Sequence, residues 1–341
     1  MNNFFMEKPI KTGLLAYGMS GKVFHAPFLE TNKGFEFYAV VERNEKKAVF
    51  DYPNIKSFST IDDLLADETI ELIVVNTPNN THFEFAKKVL EAGKHVLIEK
   101  PATTTPDEFI SLIALAKKVN KKVFVYHNRR WSSDIMATKS VIASGKLGKI
   151  VEMHLRFDRY RPTIGAKIFK ETPIPSSGIW YDLGSHLIDQ AISIFGKPIH
   201  HYRYKNSFRE NSQVDDYAFM HIEFQNKVNV FITTSMLVVN AQPGIILHGT
   251  KGSFIKEFCD EQENQLQNGM SPLNPNFGIE KTNKEGKLTY YNDNNELISE
   301  LIPSVKGNFN SLFDAIYQDI KNNIPFPIDN EVIIEQLKLL V

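Results

Sequence analysis

The chain has 341 residues, 42% hydrophobic and 23% charged, which supports packed cores and leaves room for two domains. Thirty-nine basic against 40 acidic side chains give a formal charge of -1 with no long single-sign run, which excludes the electrostatic footprint of a nucleic-acid binder and points to a small ligand. One cysteine, Cys259, excludes an internal disulfide and a cysteine-cluster metal site. No segment reaches the roughly 18 apolar residues of a membrane span, so the expectation is a cytoplasmic protein without a membrane partner.

In chain order, TGLLAYG (12–18), FEFYAVVE (35–42), ELIVVNTP (71–78), HVLIEKP (95–101) and KVFVYHN (122–128) read as strands, rich in Val, Ile and Phe. Helical stretches lie between them, notably 81–94 and 105–121. Strands alternating with helices predict parallel βαβ units covered on both faces, a doubly wound Rossmann sheet.

Beyond a helix over 133–145 the pattern changes. KIVEMHLRFDRY (149–160), DDYAFMHIEFQ (215–225), KVNVFITTSMLV (227–238) and PGIILHGTKGSFIKE (243–257) read as consecutive long strands. Neighbouring strands with few helices predict a separate α+β domain with a large, mostly antiparallel open sheet. The division expected is a dinucleotide-binding domain over 1–130 and a substrate and oligomerisation domain over 131–341. Residues 261–308, rich in Asn, Gly, Pro and Lys, read as surface loops with a short hairpin, and the tail from Phe309 as an amphipathic helix. Helices on one face of the large sheet leave the other free, and alternation such as HIEFQNKVNVFITT predicts its burial in a homodimer or homotetramer.

The first strand runs into AYGMSG (16–21), a dinucleotide fingerprint with Ala16 in place of the first glycine. Gly18 would let the backbone approach a pyrophosphate, Gly21 would allow close packing, and the following helix would offer amide donors. The alternative is a purely structural turn. The second strand ends at Glu42-Arg43, where a carboxylate would hold an adenosine ribose. Glu42 argues for NAD because it would repel a 2'-phosphate, Arg43 argues for NADP because it would pair with one, and the choice between NAD and NADP stays open. Glu42 is otherwise a solvated strand end. Ile98-Glu99-Lys100-Pro101 closes a strand at the carboxyl edge, where Lys100 is either surface solvation or chemistry. In GIWYDLGSHLIDQ (178–190), Asp182, His186 and Asp189 follow i, i+4, i+7 spacing and predict one polar stripe on a helix.

AYGMSG, TPNNTHFEFAKKVLEAGKHVLIEKP and GIWYDLGSHLIDQ, in this order, resemble the Gfo/Idh/MocA oxidoreductases over nearly the whole chain. The resemblance implies catalytic groups at Lys100, Asp182 and His186. It places cofactor contacts at Tyr17, Gly18, Met19, Ser20, Gly21, Glu42, Arg43, Thr77, Pro78, Asn79, His82, Glu99 and Lys100. YHNRRW (126–131), DRYRP (158–162) and IPSVKGNF (302–309) are similar to the subgroup with bacterial NADP-dependent scyllo-inositol dehydrogenases, from which Glu42 departs.

Alcohol oxidation needs a proton acceptor and charge stabilisation at the alkoxide, roles that suit the imidazole of His186 and the ammonium of Lys100, with Asp182 as orienting group. The rival reading of His186 is a helix histidine capped by Asp189. His127, Asn128, Arg129, Trp131, Tyr160 and Trp180 suit a polyol pocket, since aromatic faces stack on C–H surfaces and polar groups read hydroxyls. Arg129, Arg130, Arg159 and Arg161 serve equally well as structural ties. No HExxH or nucleophile elbow is present, so neither a metal nor a covalent mechanism is expected. The expected function is an NAD(P)-dependent oxidoreductase interconverting a cyclic polyol or sugar and its ketone. Its rivals are a cofactor-binding regulatory protein and a redox-neutral enzyme using transient oxidation.

Overall fold

The computed structural model describes residues 8–165 and 168–341. In its first part, short β-branched and aromatic runs form β1 (Ile10–Leu14), β2 (Phe35–Val41), β3 (Lys56–Phe58), β4 (Leu72–Val75), β5 (His95–Ile98) and β6 (Val123–Val125). They pair in parallel in the order β3-β2-β1-β4-β5-β6. Every residue of β4 is buried, as a sheet covered on both faces requires. The strand order reverses between β1 and β4, so the crevice at their carboxyl ends is where such a sheet takes a ligand.

The covering helices are α1 (Ala26–Thr31), α2 (Ala48–Asp51), α3 (Ile61–Leu65), α4 (His82–Glu91) and α5 (Pro106–Lys118). α5 opens on a capping box between Thr105 and Glu108 with Pro106 in its first turn, which explains its sharp start. Strand β3 is absent from the sequence expectation, because KSF is too short and polar to register as an apolar run. The expected strands also end early, since residues such as 15–18 and 76–78 turn the chain toward the next helix.

The second part contains α6 (Ser133–Ala143), β7 (Ile150–Asp158), α7 (Ile168–Glu171), α8 (Ser185–Phe195), β8 (Pro198–Asn206), β9 (Tyr217–Phe224), β10 (Asn229–Ser235), β11 (Ile245–Gly249) and β12 (Gly252–Lys256). It continues with α9 (Gln262–Gln267), β13 (Gly286–Tyr291), β14 (Leu297–Ile302), α10 (Asn310–Asn322) and α11 (Asn330–Leu340). Eight strands form one sheet in the order β14-β13-β12-β11-β7-β10-β9-β8, antiparallel except for the central β7–β10 pair. The single run expected over 243–257 is a hairpin, β11–β12, and β8 lies outside the expected strands because PIHHYRYKN carries little apolar alternation.

Alternation decides the faces of this sheet. Met153, Leu155, Ala218, Met220, Ile222, Val230 and Ile232 are buried on one side, where α8 and the turn before it pack against β10. On the opposite side Phe231 stacks with His154, His221 and Phe219 at centroid distances of 4.9, 5.0 and 6.5 Å. Those rings are only partly covered in the single chain.

Two compact units result. One takes in the chain up to Tyr126 with Glu263–Phe277 and Phe309–Ile334, and the other holds His127–Gln262, Gly278–Asn308 and Glu335–Val341. The first unit is thus discontinuous, unlike the contiguous division at residue 130. Aromatic burial draws the tail in: Phe313 of α10 stacks on Phe28 at 5.3 Å and meets Phe35 at 5.9 Å, and Asp319 pairs with Lys122.

Candidate active site

The glycine turn after β1 is held by a residue the sequence reading did not single out. Asn76, directly after β4, accepts the Ala16 N–H at 3.1 Å and donates to the Ala16 carbonyl at 2.8 Å. Its only sequence signal is a polar residue closing a buried strand. A Cβ on Gly21 would lie 2.2 Å from the Ala16 carbonyl oxygen, so glycine is required there, whereas a Cβ on Gly18 would meet nothing within 4 Å. The turn therefore offers open backbone at Gly18 and a helix start behind it, which fits a dinucleotide pyrophosphate.

That helix start is a π turn, Gly21–His25, ahead of α1. Pro27, without an N–H, accounts for the irregular entry. Met19 is half exposed on the turn. The Tyr17 hydroxyl donates to Asp51 at 2.7 Å, and partial burial together with that bond raises the phenol pKa well above its usual value.

Glu99 and His82, both expected as cofactor contacts, carry hydrogen bonds within the first unit. Glu99 Oε1 accepts from Ser20 Oγ at 2.7 Å and from His25 Nε2 at 2.8 Å, so Glu99 ties the helix behind the glycine turn to the end of β5. His82 is fully buried, its ring nitrogens facing the Pro101 carbonyl at 2.8 Å and the Thr77 carbonyl at 2.9 Å. Burial pushes its pKa down. Its place is to hold the turns after β4 and β5 in register, because a buried polar ring must find partners. Thr77, Pro78 and Asn79 form the turn it anchors, and Lys100 stands at the carboxyl edge of β5 beside a cis bond to Pro101.

Glu42 also departs from expectation. It is 7% exposed, and both carboxylate oxygens are used: Oε1 accepts the N–H groups of Lys47 and Ala48 at 2.7 and 3.0 Å, and Oε2 accepts Ser57 Oγ at 2.8 Å. It caps α2 and braces β3. Arg43, next to it, is exposed.

In the second unit the segment after β6 is bound to α8. Arg130 grips Asp189 with two bonds of 2.9 and 2.7 Å, and His127 Nδ1 lies 3.9 Å from the same carboxylate. Burial opposes the charge of Asp189 most strongly, yet Arg130 and His127 hold its pKa below the usual carboxylate range. His127 Nε2 bonds to Gln336 at 2.9 Å. His127, expected as a substrate contact, is 0% exposed, and Asn128 is buried as well. Trp180 is likewise fully buried, its ring filling the space left by Gly184, where a Cβ would lie 2.5 Å from the indole. Arg129 lies over the Phe157 ring at 5.4 Å and Arg159 at 5.2 Å. Trp131 accepts the Asn308 N–H through its carbonyl, and Tyr160 is exposed beside its bridge to Leu237.

The polar stripe divides at a second π turn, Trp180–Gly184, which precedes α8. The wider turn rotates Asp182 off the line through Asp189. Asp189 faces the interior, while Asp182, 23% exposed in its side chain, bonds Lys170 at 2.9 Å with Arg159 3.7 Å away. His186, on the first turn of α8, is 7% exposed. Asp189 is held instead by Arg130. Lys170, in the short α7, is not among the residues expected from sequence, since nothing in a lone lysine announces its partner.

Comparison with known proteins agrees with this arrangement. The family description "oxidoreductase family, NAD-binding Rossmann fold" matches residues 10–127, and "oxidoreductase family, C-terminal alpha/beta domain" matches 139–340. An uncharacterized oxidoreductase of Schizosaccharomyces pombe is 38% identical across 97% of this chain and 95% of its own. The scyllo-inositol 2-dehydrogenase (NADP(+)) IolW of Bacillus subtilis is 32% identical across 97% and 92%. A solved putative oxidoreductase from Bacteroides fragilis has a TM-score of 0.89 at 39% identity, covering 98% of this chain and 96% of that one. The first unit carries the NAD-binding Rossmann fold, with NAD or NADP as cofactor. With both halves matched in sequence and in fold, the chain belongs to the Gfo/Idh/MocA family of oxidoreductases.

Proposed function

We propose that this protein is an NAD(P)-dependent dehydrogenase that interconverts a secondary alcohol of a cyclic polyol or sugar and the corresponding ketone. The observation that carries the reading is the different fate of two aspartates seven residues apart: Asp189 is buried and neutralised by Arg130, whereas Asp182 keeps an exposed edge one turn before His186. The similarity to IolW, a scyllo-inositol 2-dehydrogenase, supports the same class.

The bound nicotinamide supplies the hydride acceptor. His186 takes the hydroxyl proton, because imidazole exchanges protons near neutral pH. Lys100 places a positive charge by the oxygen as it becomes an alkoxide, and Asp182 orients the hydroxyl. Cys259 takes no part: burial pushes its thiol up to about 12, which suits an inert cysteine in a reducing cytoplasm.

The test is absorbance of reduced nicotinamide with NAD or NADP and a panel of inositols, aldoses and sugar acids. Wild type should turn over at least one, and Lys100→Ala or His186→Ala should lose roughly 100-fold or more in kcat with the fold intact. Near-normal turnover by Lys100→Ala would overturn the assignment.

A further inference from the structure

A buried charge cluster that the mechanism above does not use joins Glu171 of α7 to Arg209 and Asp216 of the connection between β8 and β9. Arg209, 2% exposed in its side chain, donates from Nη2 to Glu171 Oε2 at 2.7 Å and from Nε to Asp216 Oδ2 at 3.1 Å. Its Nη1 reaches the Thr163 carbonyl at 3.3 Å, and the Gly165 N–H donates to Glu171 Oε1 at 3.1 Å. Asp216, fully buried in its side chain, also accepts the N–H groups of Phe208 and Arg209 at 2.9 and 2.8 Å. Burial disfavours the charged guanidinium, but the two carboxylates outweigh that and raise its pKa. A buried ion cluster is weak evidence for stability, because apolar side chains of equal volume serve as well. Its geometric effect is specific: it fixes Glu171, and with it the neighbouring Lys170.

Lys170, beside Glu171 in α7, bonds Asp182. Its Nζ donates to Asp182 Oδ1 at 2.9 Å while the side chain stays 42% exposed, and Arg159 sits 3.7 Å from Oδ2. An ammonium has three N–H groups, and Asp182 takes one. Holding a catalytic aspartate by one charge-assisted bond while presenting further donors outward is the arrangement expected of a substrate-reading lysine.

We propose that Lys170 is a substrate-positioning residue of the dehydrogenase site. It orients Asp182 and binds an acceptor oxygen, hydroxyl or carboxylate, on the substrate carbon next to the reacting one, and the Glu171–Arg209–Asp216 clamp sets its place. This rests on the dehydrogenase reading, deepens it, and makes substrates with vicinal oxygens the class recognised.

The experiment compares wild type with Lys170→Ala, Lys170→Arg and Glu171→Gln on the best substrate of the panel and on its analogue lacking the vicinal oxygen. Lys170→Ala should raise KM about tenfold or more for the full substrate and change little for the analogue. Lys170→Arg should recover most of the loss, and Glu171→Gln should move KM in the same direction as Lys170→Ala. Equal losses on both substrates, or unchanged KM, would overturn the proposal. A readout independent of turnover separates it from the dehydrogenase reading. In protein labelled with 13C at the aspartate carboxyl carbons and assigned with Asp182→Asn, Asp182 should titrate at higher pH in Lys170→Met than in wild type. An unmoved titration would sink the positioning role whether or not the wild type turns over the panel.

Discussion

The carboxylate of Glu99 accepts the Nε2–H of His25 at 2.8 Å, joining the residue before Lys100 to the helix that follows the glycine turn. Burial raises the carboxyl pKa most strongly, but the His25 and Ser20 hydrogen bonds, with the charges of His25 and Lys100, outweigh it and bring it to about 2. The folded value lies below the ~4.3 of an unfolded glutamate, so the stabilisation is complete above the unfolded pKa. It is lost as pH falls toward about 2. Denaturant unfolding between these limits should show wild type losing an advantage over Glu99→Gln on the order of 3 kcal/mol. A difference independent of pH would mean that the carboxylate is not held in charged form.

Glu42 spends its carboxylate on the Lys47 and Ala48 N–H groups and the Ser57 hydroxyl, while Arg43 is exposed at the end of β2. NADPH should therefore bind more tightly than NADH. Arg43→Ala should weaken NADPH by about tenfold and leave NADH nearly unchanged. Fluorescence titration of the two reduced cofactors reads both constants, and equal loss for both would assign Arg43 no selective part.

The Arg130–Asp189 pair is almost fully enclosed, with side-chain exposures of 11% and 2%. Removing one partner leaves a buried charge uncompensated. Arg130→Ala should cost on the order of 3–5 kcal/mol in chemical denaturation. A cost under about 1 kcal/mol would mean that water reaches the vacated site and screens Asp189 as at a surface.

The ring ladder on the outer face of the large sheet predicts association with a second copy. Phe231 lies at its centre, stacked on His154, His221 and Phe219. Light scattering at micromolar concentration should give a dimer or tetramer, and Phe231→Glu should shift it to monomer because the carboxylate would be desolvated on association. A monomeric wild type would refute this use of the face.

Much of the fold is legible because its signals are local. Apolar strands alternating with amphipathic helices place AYGMSG, EKP and DLGSH at the ends of elements, and a capped Thr105–Pro106 start is readable within four residues. Strand β8 and the three-residue β3 were not legible, since what stabilises them is pairing with β9 and β2 rather than their own apolar content. The hairpin β11–β12 reads as one run because Gly249 and Gly252, around its turn, do not interrupt a pattern of apolar residues.

By itself, the sequence determined the two fold types, the glycine turn, the place of Lys100 at the end of a strand and that of Asp182 and His186 at the start of a helix, all of which depend on short-range periodicity and backbone chemistry. Only the tertiary structure decided which polar groups face inward. Glu42, Glu99, His82 and His127 became internal ties, Trp180 became core, and Lys170 came to Asp182. Those outcomes turn on partners such as Gln336, 209 positions from His127, and Ser20, 79 positions from Glu99. A buried polar group must be satisfied by whatever the fold brings near it, and distance along the chain carries no information about that choice.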